Sequence, residues 1–196
     1  MDLLQLLRHG KRIRTLGVDD GPFEASRHGC ARVLVVGAVY SGDQFDGLLT
    51  THVRQDGFNA TDRLVQMIQG SKFQPQLHLV LLDGITLGGF NIVDLPRLSA
   101  SIGLPCVAVM RRPPRRQAMQ RALVQLSWPD RRARTMARAG VVHPAGELWF
   151  QVAGLDPQTT AAVLLHTTIH GNVPEPLRAA HLIARGVVCG ESGKRA

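Results

Sequence analysis

Apolar and polar positions divide the chain into alternating elements. Ile13 to Val18 and Ala31 to Tyr40 are mostly aliphatic, the second rich in valine, and both read as buried strands. The loop SGDQFDG follows. Leu48 to Val53 is a third, more polar strand ending near Asp56-Gly57. Short connections between the three predict an antiparallel meander. Thr61, Leu64, Val65 and Ile68 switch to helical spacing, with Asn59 as N-cap, Asp62 in the acid position of a capping box and Gly70 at the end. Leu77 to Leu82 is a fourth strand and Pro105 to Met110 a fifth. Between them Asp94 caps a helix that has Pro96 in its first turn and ends at Gly103. Met119, Ala122, Leu123 and Leu126 mark another helix, with Arg115 and Arg116 at its start. Glu147 to Ala153 predicts a short extra strand. Asp156-Pro157 opens a helix through Ile169, and Pro174-Glu175-Pro176 opens a last helix closed by Gly186. This order predicts one α/β domain over 12–188, a mixed five-stranded sheet flanked by helices, with flexible termini at 1–11 and 189–196.

Composition sharpens that picture. The 196 residues suffice for one domain with a substantial core, and with 5% aromatics that core is mainly aliphatic. Cys30, Cys106 and Cys189 are scattered and lack metal-type spacing, so a reducing, cytoplasmic setting is expected. No signal peptide is read at the N-terminus, and no apolar run is long enough to span a membrane. The net charge of +8 favours a polyanionic partner. It is also concentrated. Between Arg111 and Arg138 nine arginines face one acid, Asp130, which equals the excess of the whole chain. Arginines at a helix start oppose the macrodipole, which suits Arg115 and Arg116 to another task, and phosphate binding is the favoured one.

The candidate chemistry lies in acids at strand ends. Asp83 closes the apolar run Leu77 to Leu82 and opens LLDGITLGGFN; Asp19 closes IRTLGV and is followed by Asp20-Gly21-Pro22. A carboxylate at a buried strand end needs a metal, a cation or hydrogen-bond donors. Two such acids, distant in sequence and adjacent in a sheet, suit a hard divalent ion of the kind that activates water at a phosphodiester. Asp56 is the best-placed third acid and Asp62 its competitor. Asp20 reads as a supporting or turn residue. The plainer reading is that Asp-Gly pairs mark turns.

The segments IRTLGVDDGPF, VRQDGFNATDRLVQMI, LLDGITLGGFNIVDLPRLSASIGLPCVAV and NVPEPLRAAHLIARGVVCGES resemble the endonuclease dU family, itself related to endonuclease V. The resemblance covers nearly the whole chain from Arg12. It implies an RNase H-like, endonuclease V-like fold and Mg²⁺- or Mn²⁺-dependent nicking of DNA beside a deaminated base, uracil first and hypoxanthine or xanthine after it, in DNA repair. Followed by residue, the likeness to endonuclease V puts catalytic, metal-holding acids at Asp19, Asp56 and Asp83. The lysine ending the next strand falls at Arg111, and a Pro-Glu-Pro-x-Arg segment falls at Pro174, Glu175, Pro176 and Arg178. The late histidine of endonuclease V falls near Leu155, so no catalytic histidine is expected, and its Pro-Tyr wedge has no counterpart.

Nucleic acid, DNA or RNA, is therefore the expected partner, gripped by Arg111, Arg112, Arg115, Arg116 and Arg178. Two other readings stand beside the nuclease: a non-catalytic nucleic-acid-binding protein, and a related ribonuclease or RNA-processing factor. His166 and His170, four apart, read as a solvated helix face rather than a zinc pair, and Cys106, Trp128 and Trp149 read as packing residues.

Overall fold

The computed structural model describes residues 3–24 and 31–193. One mixed sheet of seven strands runs through it in the order β3-β2-β1-β4-β7-β9-β8. Its first half is the expected meander: β1 (Arg14–Asp20), β2 (Arg32–Ser41) and β3 (Gln44–Arg54) pair antiparallel. The predicted loop SGDQFDG is mostly strand, because the hairpin turns in only two residues, Gly42 and Asp43. Two parallel strands follow, β4 (Leu79–Asp83) beside β1 and β7 (Cys106–Met110) beside β4. The sheet then continues antiparallel through β9 (Leu148–Ala153) to β8 (His143–Ala145). The short extra strand expected at Glu147 to Ala153 is β9, which joins the expected five-stranded sheet, and only β8 was unforeseen.

The central strands are buried on both faces, which is why they read as unbroken apolar runs. In β4 the residues Val80 and Leu82 face one core, and Leu79 and Leu81 the other. The first core is closed by α2 (Ala60–Gln69) and α3 (Leu95–Ile102). The second is closed by α1 (Leu3–Arg8), α6 (Pro157–Thr167) and α7 (Glu175–Cys189). Within the expected N-terminal stretch, Leu3 and Leu6 repeat at helical spacing on α1 and bury against this second core. At the other end α7 runs past Gly186 and stops at Gly190, whose left-handed backbone caps it. α6 ends two residues before Ile169, at Thr167. A pair of helices, α4 (Arg116–Val124) and α5 (Pro129–Arg138), stands where the sequence suggested one.

Caps were read with mixed success. Asp94 and Asp156 accept from Arg97 N and Thr159 N as expected of N-caps. Asn59 does not cap α2. The buried Asn91 does so from outside, its Oδ1 accepting from Ala60 N at 2.9 Å, while its Nδ2 donates to Asn59 Oδ1. Asp62 leaves the predicted capping box and pairs with Arg97. Asn91 lies on β6 (Asn91–Ile92), which forms a small hairpin with β5 (Thr86–Leu87). The three-residue turn Gly88–Phe90 closes that hairpin, with Gly88 and Gly89 at φ of 58° and 82°, a left-handed backbone that glycine permits.

The contact that places α7 is made at Gly17. A Cβ there would fall onto the Pro176 carbonyl group and Leu177 N. The first turn of α7 thus rests directly on the β1 backbone. Gly17→Ala is expected to cost about 3 kcal/mol or more, since backbone cannot yield as a side chain can. Thermal melts followed by circular dichroism should show a fall in Tm of roughly 6–12 °C. An unchanged Tm would mean that α7 does not depend on this contact.

Candidate active site at the strand ends

Register alone brings two of the expected acids together. β1 and β4 are parallel, with Val18 opposite Leu82. One step further along each strand lie Asp19 and Asp83. The third member comes from α7. Asp19, Asp83 and His181 each offer a ligand atom, and these atoms lie within 4.8 Å of one another. His181 Nδ1 is 2.8 Å from Asp19 Oδ2, and Asp19 Oδ1 accepts from Asp20 N at 2.8 Å. Arg111, just past β7, donates from Nη1 to both oxygens of Asp83 at 3.2 and 3.0 Å.

Crowding of acids shows in their titration. Burial raises the Asp83 carboxyl above its usual range, and the neighbouring Asp19 adds to the shift against the pull of Arg111. Asp20 is pushed up to about 6 by burial and then by Asp19, although Gly88 N donates to its Oδ2 at 3.0 Å. His181 is raised by its hydrogen bond to Asp19, against its own burial. Each shift favours the less negative state, as expected where negative charge is in excess. Two carboxylates and an imidazole fit a divalent cation, and the protonation shifts give such an ion charge to neutralise.

Asp56 does not join this group. Its backbone is left-handed at φ 48°. Its Oδ1 accepts from Phe90 N at 2.8 Å, its Oδ2 from Gln55 Nε2 at 3.2 Å, and its N–H donates to Gly88 O at 2.8 Å. A Cβ on Gly89 would strike its carboxylate. The paired glycines therefore admit a protein side chain here. Asp62, the alternate, is half exposed and paired with Arg97. The histidine that takes the third place was missed because it was sought near Leu155. A usable signal was present in α7: Leu177, Ala180 and Ala184 are buried, and His181 falls one turn after Leu177 on that face.

The arginine-rich segment is divided in its tasks. Arg132 is only 1% exposed. It donates to the carbonyls of Asp56, Gly57, Phe90 and Ser127, so it is a strut that ties α5 to the Asp56 loop. It also stacks with Arg131 on the Phe58 ring. Arg138 pairs with Asp94. Arg112, Arg115, Arg121 and Arg134 are exposed and form no ion pair among the described residues. The side chain of Arg116 lies outside the described residues. Arg178 donates to the buried Glu175 from Nε at 3.0 Å, and His170 contacts the same carboxylate from its N–H and ring. These partners hold the Glu175 carboxyl below its usual range in spite of burial. His166 is exposed. Trp149 is half-buried, but Trp128 is 70% exposed, against the packing role read for it.

A cleft of about 540 Å³ begins one residue past Asp83, lined by Gly84 and Thr86 after β4, Met110 and Arg112 at and after the end of β7, and Met119 and Met136 from α4 and α5, while Asp19, Asp83 and His181 themselves lie outside its lining.

Comparison with known proteins agrees with this architecture. The sequence profile described as endonuclease dU matches residues 11–188. A protein of Methanothermobacter thermautotrophicus named only as a UPF0215 protein is 44% identical over 185 residues, which cover 92% of this chain and 90% of its own length. The crystal structure of a protein of unknown function from Archaeoglobus fulgidus has a TM-score of 0.83 at 38% identity, covering 90% of this chain and 98% of that one. Endonuclease V of Ciona intestinalis, solved with a 23mer DNA containing an inosine followed by a ribo-adenosine, has a TM-score of 0.57 at 14% identity, over 92% of this chain and 87% of that one. That likeness is one of fold, and it bears out the endonuclease V-like mixed α/β sheet. With a profile match from one end of the sheet to the other, the chain belongs to the endonuclease dU family.

Proposed function

We propose that the protein is a divalent-metal-dependent endonuclease that nicks DNA beside a deaminated base, uracil first and hypoxanthine or xanthine after it, as a step in DNA repair. The observation that carries this reading is the convergence of Asp19, Asp83 and His181. The family description names the lesion, and the Ciona neighbour was solved on inosine-containing DNA. Asp19, Asp83 and His181 would hold the ion, Mg²⁺ or Mn²⁺. When bound there, such an ion supplies an activated water and neutralises charge on the phosphodiester. Asp19 fixes the His181 ring through Nδ1, which leaves Nε2 as the ring's available nitrogen. Arg111 neutralises Asp83 in the absence of substrate and is placed to meet a phosphate. Arg112 and Arg115 extend that grip, with Arg178 confined to Glu175. Asp56 positions the Gly88–Phe90 turn. The cleft next to Gly84 is large enough for a nucleobase turned out of the stack. Cytoplasm is the proposed location, and Cys106 and Cys189 are free thiols. Among the described residues no helix is long and apolar enough to cross a membrane.

The decisive test is a nicking screen on end-labelled oligonucleotides carrying uracil, hypoxanthine or xanthine, with matched RNA, in Mg²⁺ and in Mn²⁺. Asp83→Asn and His181→Ala should each lower cleavage by about 10²–10⁴-fold, the range for removing a group that acts at the reacting centre. Failure of the parent protein to nick any of these substrates would sink the reading. Preference for the RNA strand would favour the ribonuclease instead.

The acid cluster also makes a prediction that needs no activity. Asp20 has a folded value of about 6, above the unfolded 3.9 or so. Its ionisation therefore costs stability above pH 6, and that cost is relieved as pH falls through 6 toward 4. His181, with a raised value, acts in the same direction. Metal-free protein should melt higher at pH 5 than at pH 7.5, and Asp20→Asn should flatten the difference. At pH 7.5, Mn²⁺ at 100 times its Kd should add about 2.7 kcal/mol, and Asp83→Asn should abolish that gain. No metal-induced rise in Tm for the parent would show that the cluster holds no ion.

Filling the cleft tests its use. Met136→Trp should reduce discrimination between lesion and undamaged DNA by about tenfold or more while leaving salt-dependent binding near the parent value. Equal discrimination would show that the base is read elsewhere.

A further inference from the structure

On the other flank of the acids, three arginines converge at the outer edge of the sheet. Arg32 and Arg54 are cross-strand partners of β2 and β3. Gln55 N donates to Ala31 O at 2.8 Å, whereas Arg54 N turns the other way and donates to Asn59 Oδ1. Arg32 and Arg54 are therefore a non-hydrogen-bonded pair, the kind in which side chains stand closest. Like charges in that position are destabilising. Arg63 of α2 reaches the same hollow of about 280 Å³, together with His52 and Thr51. Arg63 Nη1 donates to Gln66 Oε1 at 3.2 Å, but no carboxylate pairs with Arg32, Arg54 or Arg63 among the described residues. A cationic hollow with its charges set against each other, and with no carboxylate paired to them among the described residues, is suited to an external anion.

Its place in the sheet identifies the anion. Asp19 pairs with Val36 of β2, and Arg32 is four residues further toward the end of the sheet where the acids lie, about 13 Å at the strand rise. Side chains alternate, so Arg32 shares a face with Val36 and Ala38, which pack on Ala180 and Ala184 of α7. Asp19 meets His181 of the same helix. Arg32 and Arg54 thus stand at the same end and on the same face as Asp19, while Arg63, on α2 over the opposite face, closes the hollow around the β3 edge. The hollow is within the reach of one bound strand, whose phosphates advance by about 3.4 Å each along a B-form axis.

We infer that Arg32, Arg54 and Arg63 form a second phosphate site, which holds the sugar–phosphate backbone a few nucleotides from the phosphodiester placed at Asp19 and Asp83. The inference rests on the nucleic-acid reading above and adds to it the side of the site on which the strand continues. Separation of charge on the two flanks makes the strand cross the ends of β1 and β4, with its turned-out base on the β7 side and its backbone anchored on the β2–β3 side.

The test uses fluorescence anisotropy of labelled oligonucleotides with the full chain, across a KCl series. Arg32→Gln/Arg54→Gln should bind about tenfold more weakly at 50 mM salt, with a log K against log[salt] slope shallower by about one per lost contact. Arg63→Gln should act in the same direction. Shortening the oligonucleotide stepwise from one end should erase the difference between parent and variant once the strand no longer reaches the hollow. Without nucleic acid, Arg54→Gln should melt at the parent temperature or slightly above it, because a cross-strand repulsion is removed. Unchanged affinity and slope would overturn the inference, as would a variant that loses Tm and binding together, which marks a structural role. The two readings fail separately. A parent that binds with a normal salt slope while the variants match it sinks the second site and leaves the nuclease. Weakened variants of a parent that never nicks sink the nuclease and leave the site. A parent that binds no nucleic acid sinks both.

Discussion

The site depends on one backbone contact, the seat of α7 on Gly17. Where Pro176 and Leu177 touch β1 no side chain intervenes. From that point helix and strand run side by side and nearly in step. Four helical residues advance about 6 Å, and two strand residues advance about 6.6 Å. His181 therefore arrives level with Asp19. Further along, Ala184 and Val188 lie against Gly21. The strand register adds Asp83, since β4 is parallel to β1 and offset so that Val18 meets Leu82. A strand pair sets the carboxylates, and a helix in direct contact with one of those strands sets the imidazole.

Such a site stores unfavourable electrostatics that the rest of the fold must offset. Asp19, Asp20 and Asp83 crowd one end of the sheet, and two of them are raised. Positive partners are placed to meet them from three elements: Arg111 after β7, His181 on α7, and the Gly88 amide in the hairpin loop. The hairpin is in turn held to the Asp56 loop through Phe90 N and Gly88 O, and the Asp56 loop to α5 through Arg132. A buried guanidinium that satisfies four carbonyls is costly to remove, so α5 is fixed to the loop that positions Asp20. The arginine excess is thus partly internal framework. Only its exposed members are free to contribute to binding.

Much of this was legible in the sequence, for identifiable reasons. Strands buried on both faces are unbroken apolar runs, so β1, β2, β4 and β7 declared themselves. Local caps such as Asp94 and Asp156 depend on residues three apart and were readable for the same reason. What escaped was set by distant partners. Asn91 caps α2 from another element, and Asn59 looks like the cap because of its position alone. Asp56 sits in an Asp-Gly pair, as Asp83 does, and only the fold shows that its carboxylate is occupied by Phe90. His181 is polar on an otherwise apolar helix face, a signal that was present but outweighed by the search for a histidine near Leu155. β8 escaped because it is only three residues long and turns into the expected β9 after two residues.

The order of elements across the sheet gives the last step. The cleft lies toward β7 and β9, the acids end β1 and β4, and the basic hollow lies on β2 and β3. In this fold three parallel strands at the centre, β1, β4 and β7, are flanked by antiparallel strands on either side, and β1 and β4 are the parallel pair that carries the acids. The parallel pair brings two strand ends, and hence two acids, to one edge. An antiparallel neighbour instead brings the start of a strand to that edge, and Arg32 stands at such a start. Charge of one sign at the centre and of the other at the flank is therefore a consequence of strand direction combined with these sequences. A polyanion lying across that edge meets cations on the outer strands and reaches the acids only where a cation or a proton offsets them. In the proposed function, strand polarity thus separates the residues that hold a phosphate chain from those that cut it.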